Sequence, residues 1–178
     1  MSRWPIAKLG QVADFINGDR GKNYPSESDF VDKGIPFINA GHLVNGAIDF
    51  SRMNYISESH FSILNSGKTQ KNDILYCLRG SLGKTAIVRA DEAAAIASSL
   101  VIIRPSTECN VGYLYHFLSS PLGNVELSKF DNGSSQPNLS ATSVKNYCIP
   151  LPPLPEQKRI AAILDKADVI RRKRQQAV

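Results

Sequence analysis

The sequence predicts an α+β fold: a strand-rich domain with short helices over residues 1–149, then a proline strap and a long C-terminal amphipathic helix over residues 150–178. Three observations carry that reading. Through the first part, short β-branched and aromatic runs are cut by Gly, Pro and Asn, the punctuation of strands joined by turns. Pro152, Pro153 and Pro155 each hold φ near about −65° and remove a donor, so Ile149 to Leu154 runs as a stiff extended strap that holds the following helix off the domain. Beyond it Ile160, Ile163, Leu164, Ala167 and Ile170 recur at steps of three and four, forming one apolar stripe that needs a partner along its length.

In chain order, Trp4 to Phe15 mixes apolar and polar residues as an entering strand or a short helix does. Asn17 to Pro25 is a loop that brings Arg20, Lys22 and Tyr24 to the surface together. Cations beside an aromatic suit the grip of a phosphate backbone, and equally an ordinary exposed turn. Ile35 to Ile38 reads as a strand that Pro36 pushes toward a sheet edge. In the turn after it, Asn39 and His42 are candidate base or phosphate contacts, although His42 reads equally as a turn residue. Asn45-Gly46 marks a tight turn between strands, and Ser57 caps a short helix reaching Leu64.

Asp73 to Leu78 and Thr85 to Val88 read as two strands joined by a Gly-rich turn, Arg79 to Lys84. Gly83-Lys84-Thr85 ends like a phosphate-binding P-loop. However, position 78 is Leu where that loop needs Gly, and strand sequence follows where it needs a helix. The turn fits better as a hairpin presenting Arg79, Ser81 and Lys84 to nucleic-acid phosphate or groove. Ala94 to Arg104 reads as one continuing strand. Asn110 caps a helix to Ser120, with Tyr113, Leu114, Phe117 and Leu118 as its core side, and Pro121 to Phe130 makes a second. In the polar loop Asp131 to Ser140, the amides of Gln136 and Asn138 can pair bidentately with adenine, or the loop is a plain connector. Pro155 then suits the first position of the last helix, with Glu156 in its first turn.

The net charge is +5, but its distribution matters more. From Glu156 onward seven Lys or Arg face three Asp or Glu, so residues 1–155 are nearly neutral. A polyanionic partner would therefore need the cations of the globular part gathered on one face. Arg79, Lys84 and Arg89 make one such acid-free stretch, which charge alone reads equally as a solvated strand and turn. Three cysteines at wide spacing give neither a metal knuckle nor a disulfide framework. The longest apolar run, Ala93 to Ile103, is too short to span a bilayer and the start of the chain has no apolar signal region, which together place the chain in a cytoplasm. A Gly-rich cofactor loop after a strand, the tetrapeptide of amino-methyltransferases, paired carboxylates with a lysine and a Walker motif are all missing from the sequence, so it does not read as an enzyme.

The stretch LPPLPEQKRIAAILD resembles the junction between recognition domain and conserved spacer helix in specificity subunits of Type I restriction-modification systems. The same pattern continues in KLGQV (8–12), GIPFINAGHL (34–43), NDILYCLRGSLGKTAIV (72–88), AAIASSLVIIRP (94–105), YLYHFLSS (113–120) and NGSSQPNLS (132–140). Such subunits carry two recognition domains and two spacer helices; this sequence holds one of each. The resemblance implies a non-catalytic prokaryotic protein that reads one half-site of double-stranded DNA and docks a methyltransferase subunit, with a restriction subunit joining them. It implies no cofactor on this chain, S-adenosylmethionine, ATP and Mg²⁺ serving the partner subunits.

Pro155 to Val178 would span about 36 Å as helix, near the ~34 Å turn of B-DNA, so paired helices of this kind would act as a coiled-coil ruler between half-sites. The helix reaches Arg171-Arg172-Lys173-Arg174 with no capping Gly, as either a cut end or a half-length chain whose helix pairs with a second copy would. Two other readings stay open. One is the recognition domain of a single-chain restriction-modification enzyme, distinguished by its gene neighbours. The other is a module that binds protein rather than DNA, which the near-neutral globular part favours.

Overall fold

The structure, a computed structural model, describes residues 4–130 and 138–176, and the side chains of residues 4–130 and 138–174. Strand β1 (Ile6–Lys8) leads through the single turn α1 (Leu9–Val12) into β2 (Ala13–Asn17). After the Asn17 to Pro25 loop come β3 (Phe30–Val31), β4 (Ile35–Ile38), β5 (Leu43–Val44), β6 (Ala47–Ile48) and β7 (Asn54–Ile56). Asn45 and Gly46 hold φ of 51° and 78°, the pair of left-handed residues that a two-residue hairpin turn between β5 and β6 requires. Ser57 caps α2 (Glu58–Ile63) by accepting from the His60 N–H. The Gly-rich hairpin is β8 (Ile74–Cys77) and β9 (Thr85–Ile87), followed by β10 (Ala95–Ile96) and β11 (Leu100–Pro105). Asn110, Ser120 and Ser140 cap α3 (Val111–Leu118), α4 (Pro121–Ser128) and α5 (Ala141–Lys145); β12 (Cys148–Pro150) and α6 (Leu154–Gln176) complete the order.

Two four-stranded sheets form the body, in the orders β2-β11-β8-β9 and β10-β4-β7-β3. In the first, β8 and β11 are buried on both faces, so they read as unbroken apolar runs rather than alternating ones. Their alternate residues still serve two cores. Ile74, Tyr76, Val101 and Ile103 pack with α1, α3 and Tyr147, whereas Leu75, Cys77, Leu100 and Ile102 pack with Ile38, Leu43, Met53 and Ile96 from the second sheet and its hairpin. Each fully buried aliphatic chain here contributes about 1.5–3 kcal/mol. The bidentate pair of Arg104 with buried Asp73, 2.8 and 2.9 Å, fastens β11 to the turn before β8.

Three expectations change. The strand over Ala94 to Arg104 is two strands in different sheets, because Ser98-Ser99 turns the chain, Leu100 N–H donating back to the Ala97 carbonyl. β4 is interior rather than an edge: β10 pairs only at Phe37 and Ile38, so Pro36 lies beyond the end of that ladder. Most consequentially, the strap does not hold α6 off the domain. Tyr113 Oη donates to the Pro150 carbonyl at 2.6 Å, Pro152 is buried, and α6 begins at Leu154, lying against α3. Gly112 lets the helices approach, for a Cβ there would meet Ala161 Cβ at 3.1 Å.

Candidate nucleic-acid interface

Strand polarity decides which loops meet. Because β11 runs antiparallel to both β2 and β8, the C-terminal ends of those two strands lie beside its N-terminal end, with β9 starting there too. The loop after β2, the Ser98-Ser99 turn and the Arg79–Lys84 turn therefore leave from one end of the sheet. Hydrogen bonds join them. Leu78 N–H donates to the Ser99 carbonyl at 2.8 Å and Arg20 Nη2 to the Ser98 carbonyl at 3.3 Å. Gly18 is needed at this junction, since a Cβ would come within 2.7 Å of the Ala97 carbonyl oxygen. Ala97 N–H donates to Ile38, which brings the end of β4, and with it Asn39, to the same side.

The turn between β8 and β9 is closed by Cys77 N–H to Lys84 and Gly83 N–H to Cys77, with Gly80 and Gly83 at φ of 76° and 77°. That geometry leaves Arg79, Ser81 and Lys84 exposed. Arg79 also forms an isolated antiparallel bridge with Asn138, and Leu139 N–H donates to Leu78, so the segment after residue 137 joins the sheet end with Asn138 exposed. Gln136 lies outside the described residues.

The loop after β2 is anchored on both sides of its cations. Asp19, 7% exposed, accepts from the N–H groups of Gly21 and Asn65, each at 2.8 Å; these bonds, Gly21 foremost, hold its carboxyl below the usual range. Asn23 donates to the Ile63 carbonyl and accepts from His60 Nε2. Arg20 and Lys22 stay exposed between these anchors, and Tyr24 lies edge-on to Phe37 with its centroid 5.7 Å away. Four cations, Arg20, Lys22, Arg79 and Lys84, thus share one end of a globular part whose total charge is close to zero.

His42 does not offer its ring to a ligand. It is 7% exposed, its Nδ1 accepts from the Asn39 N–H at 3.1 Å, and its Nε2 faces the Arg52 carbonyl at 3.0 Å. The Asn39 side-chain oxygen is likewise bound to the Gly41 N–H. Both side chains thus brace the turn. Sequence reasoning missed the Ser98-Ser99 turn, whose signal was two polar residues interrupting an apolar run.

Along α6, the stripe divides. Ile160 is half-buried against the main core, whereas Ile163 (52%), Leu164 (39%) and Ile170 (54%) are exposed, as is Ala167. Gln157 (1% exposed) and Ala161 (6%), neither of them in the predicted stripe, face the domain instead. His116 Nε2 lies 2.8 Å from Asp165 Oδ1, and Arg172 Nη2 donates to the Asn45 carbonyl at 3.0 Å, so the helix touches the body over most of its length. Among the described residues no metal-binding cluster and no helix long and apolar enough to cross a membrane is found.

A family model described as the Type I restriction modification DNA specificity domain matches residues 1–178. The chain belongs to that family. It is 26% identical over 166 residues to the EcoKI specificity subunit of Escherichia coli, covering 91% of this chain and 35% of that one. Against the EcoBI specificity subunit of Escherichia coli it is 30% identical over 133 residues, 74% and 28% of the two chains. The chain thus spans about a third of the length of these relatives. Among solved structures, the HsdS subunit of Thermoanaerobacter tengcongensis superposes with a TM-score of 0.71 at 25% identity, covering 97% of this chain and 40% of that one. The type IIG restriction endonuclease BpuSI shares the fold alone, with a TM-score of 0.62 at 11% identity over 82% of this chain and 24% of that one.

Proposed function

We propose that this chain reads one half-site of double-stranded DNA as the specificity component of a Type I restriction-modification complex in a prokaryotic cytoplasm. The observation that carries the reading is the gathering of Arg20, Lys22, Arg79, Ser81, Lys84 and Asn138 at one sheet end in a domain of this family. Exposed Lys and Arg there set register on phosphates, while the amides of Asn138 and Gln136 reach base edges. Residues 1–149 serve as the recognition domain and α6 as the spacer.

The exposed face of Ile163, Leu164, Ala167 and Ile170 supports pairing with a second spacer helix, from another copy or from a longer subunit. Two copies about a two-fold axis would read a palindromic interrupted site, and a longer subunit two different half-sites. Methylation and cleavage, with S-adenosylmethionine, ATP and Mg²⁺, then fall to methyltransferase and restriction subunits. Selection of bound duplexes from a random pool, with the methyltransferase subunit present, tests this: one enriched half-site supports it, and an unselective pool ends it. The fold shared with BpuSI favours a second reading, the recognition domain of a single-chain enzyme, which a methyltransferase gene next to this one would exclude.

A further inference from the structure

The far end of α6 closes a small cavity against the body. Arg171 and Arg172 from α6, Gly46 from the β5–β6 turn, Thr85 from the start of β9, and Tyr115 and Ser119 from the end of α3 line a space of about 290 Å³. No carboxylate is in that lining. Its volume is about ten times the ~30 Å³ share of one liquid water, room for a phosphate group with its hydration. Arg172 spends one donor on the Asn45 carbonyl, and Arg171 Nη2 meets Asp168 Oδ1 at 3.2 Å. A guanidinium carries five N–H donors, so both keep several for another acceptor. Gly46, at φ 78°, is required where the turn backbone approaches the pocket, because a Cβ there would overlap the Tyr115 hydroxyl.

We propose that this pocket takes a phosphate of the DNA backbone, extending the track of the Arg79–Lys84 turn onto the helix. The inference rests on the DNA-reading role proposed above. Two observations favour a duplex over a free phosphate compound. Thr85 directly follows Lys84, so the pocket adjoins the end of the cation-bearing turn, and exposed Lys173 and Arg174 carry positive charge past it along the helix. The spacer would then hold the same duplex that the loops read.

The test measures affinity against salt for the full chain with the methyltransferase subunit, on duplexes carrying the selected half-site. Losing one phosphate contact lowers the slope of log K against log salt by about 1 and weakens all sequences alike. That result is expected for Arg171→Gln with Arg172→Gln, and for Ser119→Asp, which sets a carboxylate in the pocket while leaving the Arg172–Asn45 bond and so keeps the test open should the arginine variant unfold. An unchanged slope in the folded pocket variants, with Lys84→Ala still lowering it, overturns the pocket and leaves the DNA-reading role standing. Thermal stabilisation by inorganic phosphate that the arginine variant abolishes, without any change in DNA slope, also overturns it and assigns the site to a free anion. If the unaltered protein selects no sequence, the proposed function fails and the pocket with it.

Discussion

The Gln157 side-chain oxygen accepts the Asn110 N–H at 2.8 Å, while the Asn110 side chain accepts the Tyr113 N–H at 3.0 Å and caps α3, so one pair of residues locks two helices together. Gln157 Nε2 completes the fork by donating to the carbonyls of Glu108 and Pro152. Gln157→Leu removes the partner of three backbone groups, the bond to the Pro152 carbonyl being buried and those to Asn110 and Glu108 part-buried, and a buried group left unpaired costs about 1–3 kcal/mol. A loss of at least ~2 kcal/mol is expected, read from urea midpoints. An unshifted midpoint would show that the fork adds nothing.

At the sheet end, positioning and reading should separate. Lys84→Ala is expected to weaken binding about evenly across sequences and to cut the salt slope by about 1, because a phosphate contact carries no sequence information. Asn138→Ala and Gln136→Ala should instead change which base is preferred at one position, by about 1–3 kcal/mol of discrimination. Pool selection with each variant checks this, and an even loss after both amide changes rules out base reading by these residues.

The helix stripe makes a different demand. Ile163 and Ile170 are more than half exposed, so Ile163→Asp and Ile170→Asp should abolish pairing with another helix and leave the domain folded. Leu164→Asp should do the same with some cost to the domain, as Leu164 is less exposed. Sedimentation gives the mass and circular dichroism the fold; an unchanged mass would clear the stripe of that role.

Asp19 predicts a pH dependence. Its folded carboxyl lies below the ordinary value of 3.8, so the folded chain releases this proton more readily than the unfolded one. The stabilisation is complete above the unfolded value and is lost as pH falls through the folded one. Asp19→Asn should therefore differ most from the parent near neutral pH and converge with it in acid. Parallel denaturation curves across that range would show that the Gly21 and Asn65 bonds do not depend on the charge.

Much of this fold is legible in local chemistry. Asn45-Gly46, Ser57, Asn110 and Pro121 each name a turn or helix start that neighbours in sequence determine, and the structure agrees at all four. Illegible features depend on distant partners. Nothing near Pro36 shows that β10 will pair only beyond it, and nothing near Ser98 shows that the run splits between sheets. Periodicity found the exposed stripe of α6 but not its docked face, because that face is made of Gln157, Ala161 and Asp165, whose partners come from α3 and the segment before it. For the site, residue types named the loops, and strand order is what brings their ends together. His42 was ambiguous by type, and only the fold shows its ring held between two backbone partners.

The pairing of β1 with β12, Ile6 opposite Pro150 and Lys8 opposite Cys148, has one more result. The first and last strands of the globular part thus lie side by side at the root of the rod, so the chain enters and leaves it at one place. Such a unit can be spliced into a longer polypeptide, or doubled within it, without disturbing the sheets beneath its loops.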